Sequence, residues 1–95
     1  MDEYKTAIRL KPDFPEVQNN LGFALASLGN FSEAVTHYRE ALRARPDFVL
    51  AHTNLGISLA TLGRNDEAIR EFKEVLRLEP SNGAAQNALS HLGSR

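Results

Sequence analysis

Three prolines, Pro12, Pro46 and Pro80, are spaced by 34 and again by 34 in a chain of 95 residues, and this period constrains the fold more than any other feature. Residues 15–48 and 49–82 align as two 34-residue blocks without a gap and agree at 13 of the 34 positions. Among the agreements are Asn20/Asn54, Leu21/Leu55, Gly22/Gly56, Leu25/Leu59, Leu28/Leu62, Gly29/Gly63, Glu33/Glu67, Ala34/Ala68 and Leu42/Leu76. A unit of this size buries little apolar surface alone and acquires a core by stacking on its neighbours.

Each block reads as two helices. Leu21, Leu25 and Leu28 recur at i, i+4 and i+7, one face of a 3.6-residue helix, and Leu55, Leu59 and Leu62 repeat the pattern. These leucines are the expected core face. Gly29 and Gly63 fall where a left-handed terminating residue is wanted, and Ser32 and Asp66 follow as candidate N-caps of a second helix. The second helices carry Ala34, Tyr38, Ala41 and Leu42, or Ala68, Phe72, Val75 and Leu76. Pro46 and Pro80 close them, because proline disfavours a helical conformation in the residue before it. Residues 2–11 match a second helix, with Tyr4, Ala7 and Ile8 aligned to Tyr38, Ala41 and Leu42, and residues 83–93 match a first helix. No segment alternates with period two over a strand's length. The chain is therefore expected to be all-α, with about six helices over residues 2–10, 15–28, 33–44, 49–62, 67–78 and 83–92. They form one array: a half repeat (1–14), two repeats (15–48 and 49–82) and a terminal half repeat (83–95).

The 34-residue period, the Leu-Gly pairs at 21–22 and 55–56, Ala34 and Ala68, the aromatics Tyr38 and Phe72 four residues on, and the closing prolines together resemble the tetratricopeptide repeat (TPR) family. The resemblance covers essentially the whole chain. Three positions depart from the family pattern: Gln18 and His52 stand for its early aromatic, Val75 for its late small residue, and Ser90 for the glycine matched by Gly22. The resemblance implies antiparallel helix pairs stacked in a right-handed superhelical solenoid, whose first helices line a concave groove. It also implies a non-catalytic scaffold with a protein or peptide partner.

With the leucine stripe facing the core, Asn20, Phe23 and Ser27 form an adjoining stripe, and Asn54, Ile57 and Thr61 form its counterpart. Asn19 and Thr53 flank it, and Asn87 and His91 continue it into the last half repeat. An Asn amide offers two donors and an acceptor, so it can hold both N–H and C=O of an extended peptide. The Asn20/Asn54 pair resembles the asparagine ladder in the repeats of the O-linked N-acetylglucosamine transferases; the third aligned place holds Ala88, with Asn87 beside it. The same amides can instead bond the adjacent helix and set the repeat spacing. Capture of a carboxylate terminus needs Lys and Arg along the groove, whereas the comparable places hold Asn19, Phe23, Leu50 and Asn54.

Other chemistries find little here. With 11 basic and 12 acidic side chains, the net charge of −1 supplies no stripe for nucleic acid. There is no cysteine, hence no disulfide or thiolate site. His37, His52 and His91 lie 15 and 39 apart with no metal-ligand spacing, and His52 is expected to pack in place of an aromatic. Ser27, Ser32 and Ser58 lie in no nucleophile motif, and the glycines follow the structural period rather than a phosphate loop. No cofactor, metal or catalytic site is expected. No apolar run reaches the ~18 residues of a membrane span, and a cytoplasmic location is the default expectation.

The two half repeats are complementary. Tyr4 and Ile8 at one end and Leu89 and Leu92 at the other predict a head-to-tail homo-oligomer, a heterologous contact that need not close. Two functional classes therefore compete with the peptide-binding scaffold: a self-assembling structural repeat, and a substrate-selecting part of a larger multidomain protein.

Overall fold

The computed structural model of the chain describes residues 14–93, so the expected helix over residues 2–10, with Tyr4 and Ile8, lies outside the described residues. Five helices follow in order: α1 (Pro15–Ser27), α2 (Phe31–Ala44), α3 (Val49–Thr61), α4 (Asn65–Leu78) and α5 (Gly83–Gly93). Among the described residues there is no strand. Each helix packs chiefly on the one before and the one after it, and α1 also touches α3. The result is a helical repeat solenoid.

The turn inside each repeat is set by one glycine. Gly29 and Gly63 have φ of 84° and 81°, the left-handed region that glycine enters without a Cβ clash. The Gly29 N–H donates to the Ala26 carbonyl and the Asn30 N–H to that of Leu25, at 2.9 and 2.8 Å. Gly63 and Arg64 repeat both bonds onto Ala60 and Leu59, at 3.0 and 2.8 Å. This is the paired 5→2 and 6→1 closure of a Schellman motif. It leaves no room for a longer loop, so α2 and α4 begin two residues earlier than expected. Asn30 and Arg64 are their N-caps, and Ser32 and Asp66 lie inside the first turn, a correction to their assignment as caps. The turn also moves Leu28 and Leu62 off the helical face. They are 63% and 37% exposed, so the core stripe is Leu21 and Leu25, then Leu55 and Leu59, without the third leucine.

Between repeats the chain enters α5 through a side-chain cap. The Asn82 Oδ1 accepts the Ala85 N–H at 2.9 Å, where the preceding first helices have Phe14 and Phe48 and no side-chain cap. Salt bridges lace the second helices: Arg43 to Glu40, and Arg77 to Glu74 at 2.5 Å. Glu67 binds Arg64 at 2.7 Å and Arg39 of the preceding repeat at 3.1 Å. Both Glu67 partners are surface contacts worth little individually.

Within each pair the core depends on a glycine facing a ring. A Cβ on Gly22 would lie 2.7 Å from Cε1 of Tyr38, and one on Gly56 would lie 2.8 Å from Cζ of Phe72. Ala34, Ala41, Ala51, Ala68 and Ala85 are fully buried, and they keep the helix axes close while the rings fill the layer between them. Gly22→Ala and Gly56→Ala are therefore expected to cost about 1–3 kcal/mol each in urea unfolding, because the ring cannot withdraw from a packed layer. Gly83→Ala, whose Cβ meets nothing within 4 Å, is the control and is expected to be neutral or slightly stabilising.

Candidate functional site

Helices α1, α3 and α5 are the first helices of successive repeats and form one face of the solenoid. Phe23 and Ile57, one period apart, stand on it at 60% and 51% exposure, although both are large and apolar. Leu50 is exposed at the start of α3. Asn20, Ser27, Thr61, Asn87 and His91 are exposed around them, and Thr53 and Asn54 are half-buried. Of the residues expected along this face, all but one are exposed or half-buried.

That exception is Asn19, which is buried. Its Oδ1 accepts a hydrogen bond from Nδ2 of Asn54 at 3.2 Å. Asn19 lies beneath the face because it stands one turn before the buried Gly22 on α1, and it acts by fixing the Asn54 amide. One N–H of Asn54 is committed to the preceding repeat, whereas Asn20 is exposed and sits outside this pair. The hydroxyls are also engaged: Ser27 donates to the Phe23 carbonyl, Thr53 to that of Val49 and Thr61 to that of Ile57, at 3.0, 3.0 and 2.9 Å. They therefore present acceptor lone pairs rather than protons to anything lying on the face.

The face is almost uncharged. Helices α3 and α5 carry no Asp, Glu, Lys or Arg, and α1 carries only Glu16, which is paired with Arg45. Glu16's own backbone N–H and then Arg45 hold its carboxyl below the usual range. The lysines and arginines of the described helices all lie on α2 and α4. Among the described residues no cluster of His, Asp and Glu could hold a metal ion. No described helix is long and apolar enough to cross a membrane. Leu89 and Leu92, expected at a self-association surface, are half-buried against the core of their own chain.

Behind the face, polar pairs replace the early aromatic of each first helix. Gln18 Oε1 lies 2.9 Å from Nδ1 of His37, and one period on His52 Nδ1 lies 2.7 Å from Oε1 of Glu71. His52 Nε2 also faces the Pro46 carbonyl at 2.7 Å. At the seam between the two repeats the buried hydroxyl of Tyr38 is hydrogen-bonded to Ser58, and burial raises the phenol to about 12, against a lowering by that bond. None of these three pairings was readable in the sequence, since each joins positions on different helices.

Two ring nitrogens facing two acceptors call for two N–H groups, which only the imidazolium supplies. Burial works against that charge at His52, but the hydrogen bonds to Glu71 and Pro46 and the charges of Glu71 and Glu74 outweigh it, and the pKa is raised. A raised folded-state pKa contributes stability in full below the unfolded value near 6.5, and the contribution is lost as pH rises through the folded value. The melting temperature is expected to fall between pH 6 and pH 8, and the fall should be smaller in His52→Gln, which keeps a donor toward Glu71 but does not titrate. Paired thermal melts across that range check it; identical slopes would remove His52 as the source.

The TPR repeat profile matches residues 1–29 and 24–63, and the tetratricopeptide repeat profile matches residues 49–82. Among solved structures the chain is similar to the first TPR of Spaghetti (RPAP3) bound to the HSP90 peptide SRMEEVD, at 26% identity and a TM-score of 0.94, covering 98% of this chain and 74% of that one. It is similar to the Arabidopsis OM64 TPR domain, at 28% identity and a TM-score of 0.91, covering 96% and 75%. It is also similar to the second TPR domain of human RPAP3 in complex with the HSP70 peptide SGPTIEEVD, at 25% identity and a TM-score of 0.91, covering 97% and 77%. No curated protein matches the sequence significantly.

Proposed function

Because this chain belongs to the tetratricopeptide repeat family, we propose that it is a non-catalytic scaffold that binds an extended segment of a partner protein on the face of α1, α3 and α5. The observation that carries this reading is the pair Phe23 and Ile57, two large apolar side chains more than half exposed at the same place in successive repeats. Exposed apolar groups in register, rimmed by the amides of Asn20, Asn54 and Asn87, fit a ligand that runs along the stack and contributes both side chains and backbone. Two of the similar structures hold peptides, which supports the same use of the fold here.

The partner segment differs in chemistry from those peptides. Both end in Glu-Glu-Val-Asp, a run of carboxylates, and the face described here has no Lys or Arg to meet them. Neutral groups that offer amides and apolar contact suit an uncharged segment read through its backbone. Binding should accordingly vary little with ionic strength, unlike a clamp built on charge pairs.

Peptides selected from a random phage-displayed library on the full chain provide the ligand for the test. Phe23→Glu and Ile57→Glu are each expected to weaken their binding about tenfold or more, with the circular dichroism spectrum unchanged. Asn20→Ala tests the amide contact cleanly, whereas Asn54→Ala also strands the buried Asn19. Affinity that survives both glutamate variants would overturn the proposed face.

A further inference from the structure

The two repeats differ at one corner of that face. The 34-residue register sets Phe31 against Asn65 and Ile57 against His91. Phe31, the first residue of α2, is half-buried; Asn65, the first residue of α4, is exposed. At this corner of the second repeat lies a crevice of about 390 Å³, lined by Ala60, Thr61, Gly63, Asn65, His91 and Leu92. Thr61 and His91 belong to the α1, α3 and α5 face, so the crevice opens at its rim, one turn along α3 from the exposed Ile57.

The lining has a definite chemistry. Ala60 and Leu92, packed on the core, give an apolar floor. Gly63 adds a bare stretch of backbone, with nothing within 4 Å of where a Cβ would stand. The rim is polar but carries no carboxylate, ammonium or guanidinium: Thr61 has spent its proton on the Ile57 carbonyl, Asn65 brings an amide and His91 an imidazole. A charged side chain finds no counter-ion there. A flat ring finds an apolar floor, an imidazole to stack on and amide dipoles at its edge. The first repeat itself puts a phenyl at the matching position.

We propose that this crevice is a side-chain pocket of the binding face, taking one aromatic residue of the bound segment. The proposal rests on the reading of that face as a peptide-binding surface and adds what the peptide must carry. Asn65→Phe writes into the second repeat the residue that the first repeat already has, and so fills the pocket from within.

The test uses peptides selected from the random library on the full chain, synthesised with a fluorescent label and titrated by polarisation. The selected peptides are expected to share one aromatic position, and its replacement by alanine should weaken binding about tenfold. Asn65→Phe should weaken the aromatic peptides by a similar factor, leave their alanine versions unchanged and keep the melting temperature. If Asn65→Phe disturbs the fold, His91→Ala on the exposed side of α5 serves instead, and should narrow the gap between aromatic and alanine peptides. A benzoylphenylalanine placed at the shared position should photo-crosslink to residues 60–65 or 91–92. Peptides that bind without an aromatic, or that are indifferent to Asn65→Phe yet lost in Phe23→Glu, overturn the pocket and leave the face standing. A library that yields no binder overturns both.

Discussion

The approach of a glycine to an aromatic ring is the contact on which the rest of this structure depends. At Gly22 and Gly56 the backbone of a first helix lies directly against Tyr38 and Phe72 of the second, closer than any side chain would allow. A ring seated in this way fills the layer between helices and leaves the neighbouring positions to small residues, which accounts for the fully buried alanines at 34, 41, 51, 68 and 85. The distance between helices in a pair follows from the glycine, and the orientation of the pair from the Schellman turn behind it. With both fixed, the repeat presents the same two flanks each time and can only stack.

Stacking then decides which polar groups are paired. The Tyr38 hydroxyl reaches Ser58 across the seam, and one period later the matching positions hold Phe72 and Leu92, an apolar pair in place of a polar one. The hydroxyl pair thus belongs to one seam only, and among the described residues no buried side-chain polar atom is left without a partner. Gln18 with His37 and His52 with Glu71 follow the same rule between the helices of a pair. Gln18–His37 and His52–Glu71 occupy the same two places of successive repeats with different residues. The Tyr38–Ser58 bond, which does cross between repeats, marks its seam with a polar pair and so favours the native order of repeats over a slipped one.

Much of this was legible in the residues because a repeat states its pattern twice. The helix pairs, the glycines at the turns, the aromatic positions and the stripe of Asn20, Phe23, Asn54 and Ile57 all follow from the 34-residue register. What was not legible lies at helix ends and across seams. Leu28 and Leu62 continue the leucine spacing, but the turn begins at those residues, so periodicity assigns them to a face that has already ended. Ser32 and Asp66 are good capping types two residues too late, because the glycine closure fixes where the next helix starts. Asn19 sits beside Asn20 with the same chemistry, and only the position of the next repeat turns one amide inward onto Asn54 and leaves the other outside.

The separation of charge between the two kinds of helix gives the face its character. A solenoid needs solvated surface to stay soluble, and here the second helices supply it, with Glu33, Arg39, Glu40 and Arg43 on α2 and seven charged residues between Asp66 and Arg77 on α4. The first helices are released from that duty and are free of charge apart from the paired Glu16. Their outer positions hold amides, hydroxyls and two apolar side chains instead. For the proposed ligand, long-range attraction cannot act as a guide to such a surface, so on that reading selectivity comes from contact: backbone hydrogen bonds that any segment offers, and side-chain fit at the few places where one repeat departs from the other. The exchange of Phe31 for Asn65 is such a departure, and it lies on the rim of the face rather than in the shared core.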